Sequence, residues 1–318
     1  MVIRYILCFI LGFAGVFLTM PPFIEYLKKL SLRQTVSEYS LEEDQKKAGT
    51  PIMGGVLFIL FPIIVTLAVC FRQSMNLDSI VVMLAFAGYG LIGFIDDWLI
   101  AIRKNNEGLT PAKKFIMQLV LAVVFFMIYR THARLEVDMP FGGYLYLGHL
   151  YFVLVLFMFT GSSNAVNLTD GMDGLAAGCS VIALVPFLVI CLHQNMQGPA
   201  ALCFALIGSL LAYLYYNKKP ARVFMGDTGA LALGGILAGL AMITKTELLL
   251  IVIGGIFVIE TLCVIIQQVS VRTVHKRVFI YTPIHYAFRL KGMPETSVVK
   301  MFWAAELLFA LIGLFIYL

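Results

Sequence analysis

The feature that most constrains this chain is a succession of ten apolar blocks, each close to bilayer-spanning length. They run roughly over 2–20, 52–71, 79–100, 115–130, 149–163, 174–192, 199–216, 229–243, 247–268 and 299–318. An α-helix rises about 1.5 Å per residue, so roughly 20 apolar residues cover a hydrocarbon layer about 30 Å thick. Inside that layer every backbone polar group needs an internal partner, which leaves helices or a closed barrel. Barrel strands alternate over about ten residues, whereas these blocks are apolar throughout. Composition agrees, with 61% of the 318 residues hydrophobic and 13% charged, against about 25% charged in soluble domains. A water-soluble enzyme, a disordered chain and a coiled coil are excluded. The expected fold is an all-α polytopic integral membrane protein with about ten transmembrane helices, forming a single domain over 1–318.

Loop charge sets the orientation. Of the 23 Lys and Arg residues, all but Arg4, Arg72, Arg130, Arg134 and Lys245 fall in or beside the odd-numbered loops. Basic loops stay in the cytoplasm, so the odd loops are expected inside and both termini outside. The net charge of +5 is therefore a topology signal, and no nucleic-acid partner is expected. Residues 1–20 lack a small-residue cleavage site and run into Pro21-Pro22, so they read as a retained first span. The six cysteines lie in apolar blocks without metal-ligand spacing and read as small packing hydrophobes. Loop 131–148, with β-type residues around Phe141-Gly142-Gly143, reads as a short hairpin on the outer surface.

Charged and amide residues at span ends are costly and mark function. They fall in five segments, all expected on the cytoplasmic side. KKAGTPIMGG (46–55) leads into the second span, with Thr50 a candidate cap and Pro51 suited to the first turn. GFIDDWLIAIRKNNEGLTPAKKFIMQ (93–118) carries Asp96 and Asp97 near the end of the third span. NAVNLTDGMDGLAAG (164–178) joins spans five and six and holds Asn164, Asn167, Asp170 and Asp173. NKKPARVFMGDTGALALGG (217–235) brings Asp227 into span eight, and TPIHYAFRLKGMPE (282–295) carries His285.

Spans two, six and eight each open with a Gly-rich polar turn at the positive end of a helix, a ready anion site. Span three ends beside them with two carboxylates, which favour a cation. Two carboxylates about 4 Å apart repel by roughly 4 kcal/mol at an effective dielectric near 20. Asp96, Asp97, Asp170, Asp173 and Asp227 around a diphosphate therefore call for a divalent metal, and oxygen-only ligands indicate Mg²⁺. Neighbouring helical residues point about 100° apart, so Asp96 and Asp97 are expected to differ in role. Glu260, within span nine, reads equally as a buried hydrogen-bonding group or a functional one. His132, His149, His193 and His275 read as structural. The pairs Gly234-Gly235 and Gly254-Gly255 read as close helix packing.

KKAGTPIMGG, GFIDDW followed by GLTPAKK, NAVNLTDGMDGLAAG and VFMGDTGALALGG stand in this order along the chain. Together they resemble the polyprenyl-phosphate N-acetylhexosamine-1-phosphate transferases, over essentially the whole length. The closing RVFIYTPIHYAFRLKGMPE resembles the branch acting on UDP-N-acetylmuramoyl-pentapeptide rather than the sister branch acting on UDP-N-acetylglucosamine. That resemblance implies attack by undecaprenyl phosphate on the β-phosphorus of UDP-N-acetylmuramoyl-pentapeptide, with Mg²⁺, giving lipid I and UMP in peptidoglycan synthesis. It also implies ten spans in the bacterial cytoplasmic membrane, a cytoplasmic-facing cleft, a split ninth helix and commonly a homodimer.

Residue roles carry over from the same resemblance. Asp96 and Asp97 match the family's Asp-Asp pair, one of which acts on the lipid phosphate. Asp227 matches the metal-ligand position, and Asn217, ten residues earlier, a polar neighbour of the metal and diphosphate. Phe224 matches the aromatic that stacks on uracil. Gly171, Met172 and Asp173 match the turn that reads the uracil edge, with Asp170 and Asn167 beside the nucleoside. Lys47 and Lys114 match diphosphate contacts, and His285 the first residue of a His-His-His run. This chain departs from the family at Tyr286 and Ala287 in that run. It departs again at Ile100, where a Lys is usual, and at Ile52, where a Thr is customary. Direct attack and a two-step path through an aspartyl-phosphate at Asp96 or Asp97 both stay open.

Overall fold

The computed structural model describes residues 2–30, 49–70, 75–103, 108–140 and 142–318. Ten spans are present among the described residues. They are α1 (Val2–Lys29), α2 (Gly55–Cys70), α3 (Leu77–Arg103), α4 (Pro111–Tyr129), α5 (Tyr151–Thr169), α6 (Leu175–His193), α7 (Gln197–Asn217), α8 (Gly226–Thr244), a ninth in two pieces, α9 (Glu247–Ile253) and α10 (Gly255–Val274), and, after the short α11 (Ile284–Leu290), α12 (Glu295–Tyr317). Nine helices among the described residues are long and apolar enough to cross a bilayer, and α2 is a shorter apolar one. The chain is a multi-pass membrane protein.

Several boundaries differ from the hydropathy reading. α1 continues through Pro21 and Pro22 to Lys29, nine residues beyond the expected end at 20. Proline is tolerated inside membrane helices because neighbours re-satisfy the freed backbone groups. α5 runs to Thr169 rather than 163, since Thr160 and Thr169 turn their hydroxyls back onto carbonyls four residues earlier. The helix after Thr50-Pro51 starts only at Gly55, so neither residue caps it. Instead Pro51 pairs with a distant segment. The Phe224 N–H donates to Pro51 O at 2.8 Å and the Gly54 N–H to Phe224 O at 2.8 Å.

The bundle is built around α8, where every residue from Thr228 to Thr244 is buried. A helix apolar on all sides belongs in the middle of a large bundle. α3 and α5 flank it, α1 pairs with α7, and α6 lies between α7 and α12. Small residues permit these approaches. A Cβ on Gly234 would meet the Ser162–Ser163 backbone of α5, and one on Gly235 would meet Tyr89 of α3. Gly255 packs under Phe309, whereas Gly254 marks the break between α9 and α10. The buried start of α10 is met by Glu306 of α12, whose Oε2 accepts the Ile256 N–H at 3.0 Å. Buried hydroxyls add links between spans: Tyr89 donates to Gln118 O and Tyr129 to Met242 O.

The hairpin is present at 136–146, with β1 (Glu136–Asp138) antiparallel to β2 (Tyr144–Tyr146) and Val137 opposite Leu145. Lys245 holds it to the bundle, donating to Arg134 O at 2.9 Å and standing 4.4 Å from the Tyr151 ring centroid.

α1 and α7 cross at reciprocal glycines. A Cβ on Gly12 would press on Ala205 O, and one on Gly208 on Phe9 O, while Gly161 faces open space. Gly208→Ala is therefore expected to lower the thermal unfolding midpoint in detergent, with an overpacking cost of about 1–3 kcal/mol. Gly161→Ala is expected to hold or raise it, because alanine is the better helix former.

Candidate active site

Asp96 and Asp97 sit near the end of α3 and face different neighbours, as adjacent helical positions must. Asp97 turns to the start of α8. Its Oδ1 accepts the Asp227 N–H at 3.1 Å, and its Oδ2 accepts the Thr228 N–H at 3.0 Å and the Thr228 hydroxyl at 2.6 Å. The first N–H groups of a helix have no partner within it and carry its positive end. Here a buried carboxylate fills that position. Two glycines make room: Gly226 has φ +68° and a Cβ there would fall on the Asp97 carboxylate, while one on Gly93 would fall on the Asp227–Thr228 backbone.

Asp96 turns to the start of α4. Thr110 caps that helix, its Oγ1 accepting the Lys113 N–H, and Pro111 occupies the first turn. This places Lys114 one residue further on, facing the carboxylates. Asp96 Oδ1 accepts the Leu109 N–H at 2.7 Å and its Oδ2 accepts from Lys114 Nζ at 3.0 Å. Lys114 also forms an ion pair with Asp227. Asp96, Asp97 and Asp227 each bring one oxygen within 4.8 Å of the other two. Asp96 is buried, whereas the side chains of Asp227 and Lys114 stay 22% and 20% exposed, so these two present the open face of the cluster. Three hard oxygen donors this close could hold a divalent cation, with Lys114 on two of them as the competing positive charge.

A second wall comes from the turn between α5 and α6. Asn167, Asp170 and Gly171 are partly buried, and Met172 and Asp173 are buried. The Asp173 N–H donates to Glu295 Oε1 and its Oδ2 accepts the Ala221 N–H, both at 3.0 Å. Asn217 ties the same turn to the segment before α8, accepting the Gly174 N–H at 3.0 Å and donating to Val223 O at 2.9 Å. Phe224 is partly buried, its backbone held by Pro51 and Gly54. Asn164 donates to Gln118 at 2.9 Å.

His285 completes this wall from α11. It is fully buried, with Nδ1 2.9 Å from Glu260 Oε1 and Nε2 toward Gly171, where a Cβ would collide with it. Tyr286 donates its hydroxyl to Gly171 O at 3.1 Å. Glu260 is thus a buried hydrogen-bonding group that also accepts the Ile284 N–H at 2.7 Å.

The sequence-named residues from four of the five segments therefore meet at one end of the bundle. From the fifth, Pro51 joins them through Phe224, whereas Lys47 lies outside the described residues. Arg103 donates to Gly108 O at 3.3 Å. The Gly-rich helix starts differ from the open anion sites expected. Those of α2 and α8 direct N–H groups to Phe224 O, Met225 O and Asp97, and the turn before α6 directs its own to Asn217 and Glu295. Buried N–H groups must be paired, and nearby chain oxygens do so. Thr228 and Glu295 escaped the sequence reading. Glu295 lay in a flagged segment, but its ion pairs with Lys219 at 2.7 Å and Arg289 at 3.5 Å have no local pattern.

The two aspartates should separate in a stability measurement. Asp97→Ala leaves two buried N–H groups and a hydroxyl without an acceptor, at about 1–3 kcal/mol for each such group. A clear fall in the thermal midpoint is expected. Asp227→Ala removes a half-open carboxylate and leaves Lys114 on Asp96, so a much smaller change is expected in the same unfolding scan.

Comparison with known proteins agrees with this geometry. Residues 79–245 match the family described as glycosyl transferase family 4. Among curated relatives, the phospho-N-acetylmuramoyl-pentapeptide-transferase of Geobacillus thermodenitrificans is 45% identical over 299 residues, covering 93% of this chain and 92% of the relative. The Bacillus subtilis protein of the same name is 44% identical over 315 residues, 96% of each chain. That of Geobacillus sp. WCH70 is 42% identical over 314 residues, 98% of this chain and 97% of the relative. With a partly open aspartate-lysine cluster at one end of a membrane-helix bundle and relatives this close along nearly the whole length, the chain belongs to glycosyl transferase family 4, among its phospho-N-acetylmuramoyl-pentapeptide-transferases.

Proposed function

We propose that this enzyme transfers phospho-N-acetylmuramoyl-pentapeptide from its UDP carrier to undecaprenyl phosphate, forming lipid I and UMP for peptidoglycan synthesis. The observation that carries the mechanism is Lys114 bridging Asp96 and Asp227 while Asp97 is held behind them. The site opens to the cytoplasm, as the loop charges require, with both termini outside. The chain acts as one domain, and as a homodimer on the strength of the family resemblance.

Phosphoryl transfer needs an in-line nucleophile, charge neutralisation and a stabilised leaving group. The nucleophile is already an oxygen of the lipid phosphate, so the protein has mainly to position and neutralise. Asp227, the most open carboxylate of the three, is the proposed ligand of Mg²⁺, with Asp96 beside it. When bound, that ion supplies charge for the diphosphate. Lys114 lies in reach of the same anion from the start of α4. Asp96, not Asp97, is the member of the pair assigned to the lipid phosphate, because Asp97 is held by three donors of α8, whereas one Asp96 oxygen meets only Lys114, whose side chain reaches the open face. Both Asp96 oxygens also carry hydrogen bonds, which favours direct attack over an aspartyl-phosphate. Asn167, the 170–173 turn and Phe224 are assigned to the nucleotide, Lys47 to the diphosphate, and His285, buried behind Gly171, to the phosphate side of the reaction. Asn217 holds the nucleotide turn in place.

Two measurements test the reading. UMP release from UDP-N-acetylmuramoyl-pentapeptide, with the protein in liposomes carrying undecaprenyl phosphate, should need Mg²⁺ and stop on chelation. UMP release from UDP-N-acetylglucosamine instead would overturn the assignment. Asp227→Asn should cut turnover by roughly 100-fold or more, in the range of a lost electrostatic contact to the reacting group, with the unfolding midpoint preserved.

A further inference from the structure

Away from the aspartate cluster, a cavity of about 310 Å³ lies where α10 ends and the chain turns back toward α11. Its wall includes Arg272, Arg277, Gln267 and Tyr281, with Val271 and Ile280 on the apolar side. None of the residues lining it is a carboxylate, and neither arginine has an acidic partner among the described residues. Two guanidinium groups on one small cavity repel unless an anion joins them.

The cavity is built rather than incidental. Gln267 Oε1 accepts the N–H groups of Val278 and Phe279 at 2.9 and 3.0 Å, and its Nε2 donates to Phe279 O at 3.1 Å. Ser270 donates to Lys276 O at 2.8 Å. The chain after α10 is thereby folded back onto the helix, which brings Arg277 onto the same cavity wall as Arg272. Depth in the membrane follows from the helix itself. α9 and α10 together have 27 residues, more than the roughly 20 that cross the hydrocarbon layer, so Arg272 in the last turn falls at or beyond its edge. Leu262, Ile265, Ile266 and Val269 line the exposed face below it, where acyl chains would lie.

We propose that this cavity binds the phosphate headgroup of an anionic bilayer phospholipid, its two arginines pairing with the phosphate oxygens and its acyl chains running down the exposed face of α10. Arginine suits phosphate because its planar fork donates two parallel hydrogen bonds. Basic pockets of this kind on the cytoplasmic side bind anionic lipid. The site is independent of the aspartate cluster, and its test does not depend on turnover.

The full-length protein, delipidated in detergent, is titrated with phosphatidylglycerol, phosphatidylcholine, undecaprenyl phosphate or inorganic phosphate, and bound lipid is counted by native mass spectrometry. Arg272→Gln with Arg277→Gln is measured beside it, with unfolding midpoints as the control for folding. Because the removed charges lie at the surface, that control should be unchanged. Phosphatidylglycerol should bind the parent protein more tightly than phosphatidylcholine, and the double variant should lose roughly 30-fold in that affinity. The paired Arg→Lys variant, which keeps charge but not the fork, should lose less. Equal retention of the two phospholipids, or unchanged phosphatidylglycerol binding in the double Gln variant, overturns the site. So does binding of inorganic phosphate alone. Preference of the arginine-dependent site for undecaprenyl phosphate would make its occupant the reaction's acceptor and overturn the bilayer-lipid assignment.

Discussion

A single buried carboxylate organises this end of the molecule. Asp97 accepts from two N–H groups and a hydroxyl at the start of α8, joining the C-terminal part of one span to the N-terminus of another. A negative charge at a helix N-terminus is favourable, and the low dielectric of the site makes the bond stronger than it would be in water. Because α8 is buried along nearly its whole length, its position relative to α3 passes directly to the rest of the bundle. The same contact sets where Asp227 stands beside Asp96. Phosphoryl transfer is sensitive to misplacements of about 1 Å, so a register fixed by three hydrogen bonds and two close glycines is a condition of the chemistry.

Charge completes the picture. Three carboxylates gathered within 4.8 Å with one lysine leave the cluster short of positive charge. Buried charges of one sign are tolerated only when paired or bound to a metal. Lys114 answers part of this by bridging Asp96 and Asp227, while Asp97 is met by the donors at the start of α8. The Mg²⁺ ion proposed for this cluster would offset the remaining deficit. An anionic diphosphate approaching the same carboxylates alone would be repelled, which is the physical ground for the ion proposed there.

Much of this was legible in the residues. Hydropathy located all ten spans, and the Phe141-Gly142-Gly143 stretch located the hairpin, because both signals are local. The separate directions of Asp96 and Asp97 followed from helix geometry. Other features were invisible for a physical reason: they depend on which distant segments meet. Nothing local shows that Pro51 would pair with Phe224 instead of opening a helix, or that the helix-start donors would be taken by the chain's own oxygens. Thr228 looked like an ordinary early helix residue until Asp97 arrived from 131 positions away. Glu260 was ambiguous alone and became intelligible only with His285 against it.

The His-Tyr-Ala run shows how a departure from the family pattern can be absorbed. Only its first residue is held in a buried ion-pair geometry, and that residue is the histidine. The second position contributes a hydrogen-bond donor to Gly171 O, which the tyrosine hydroxyl supplies. The third is a buried alanine, where an imidazole would need a polar partner or pay its desolvation. The turn that holds Asp170 and Asp173 thus stays braced from three sides: by His285 and Tyr286, by Asn217 and by Glu295. Bracing through backbone groups is indifferent to the side chain that provides it, which is why this turn can keep its shape while two of the three positions beside it differ from the family run.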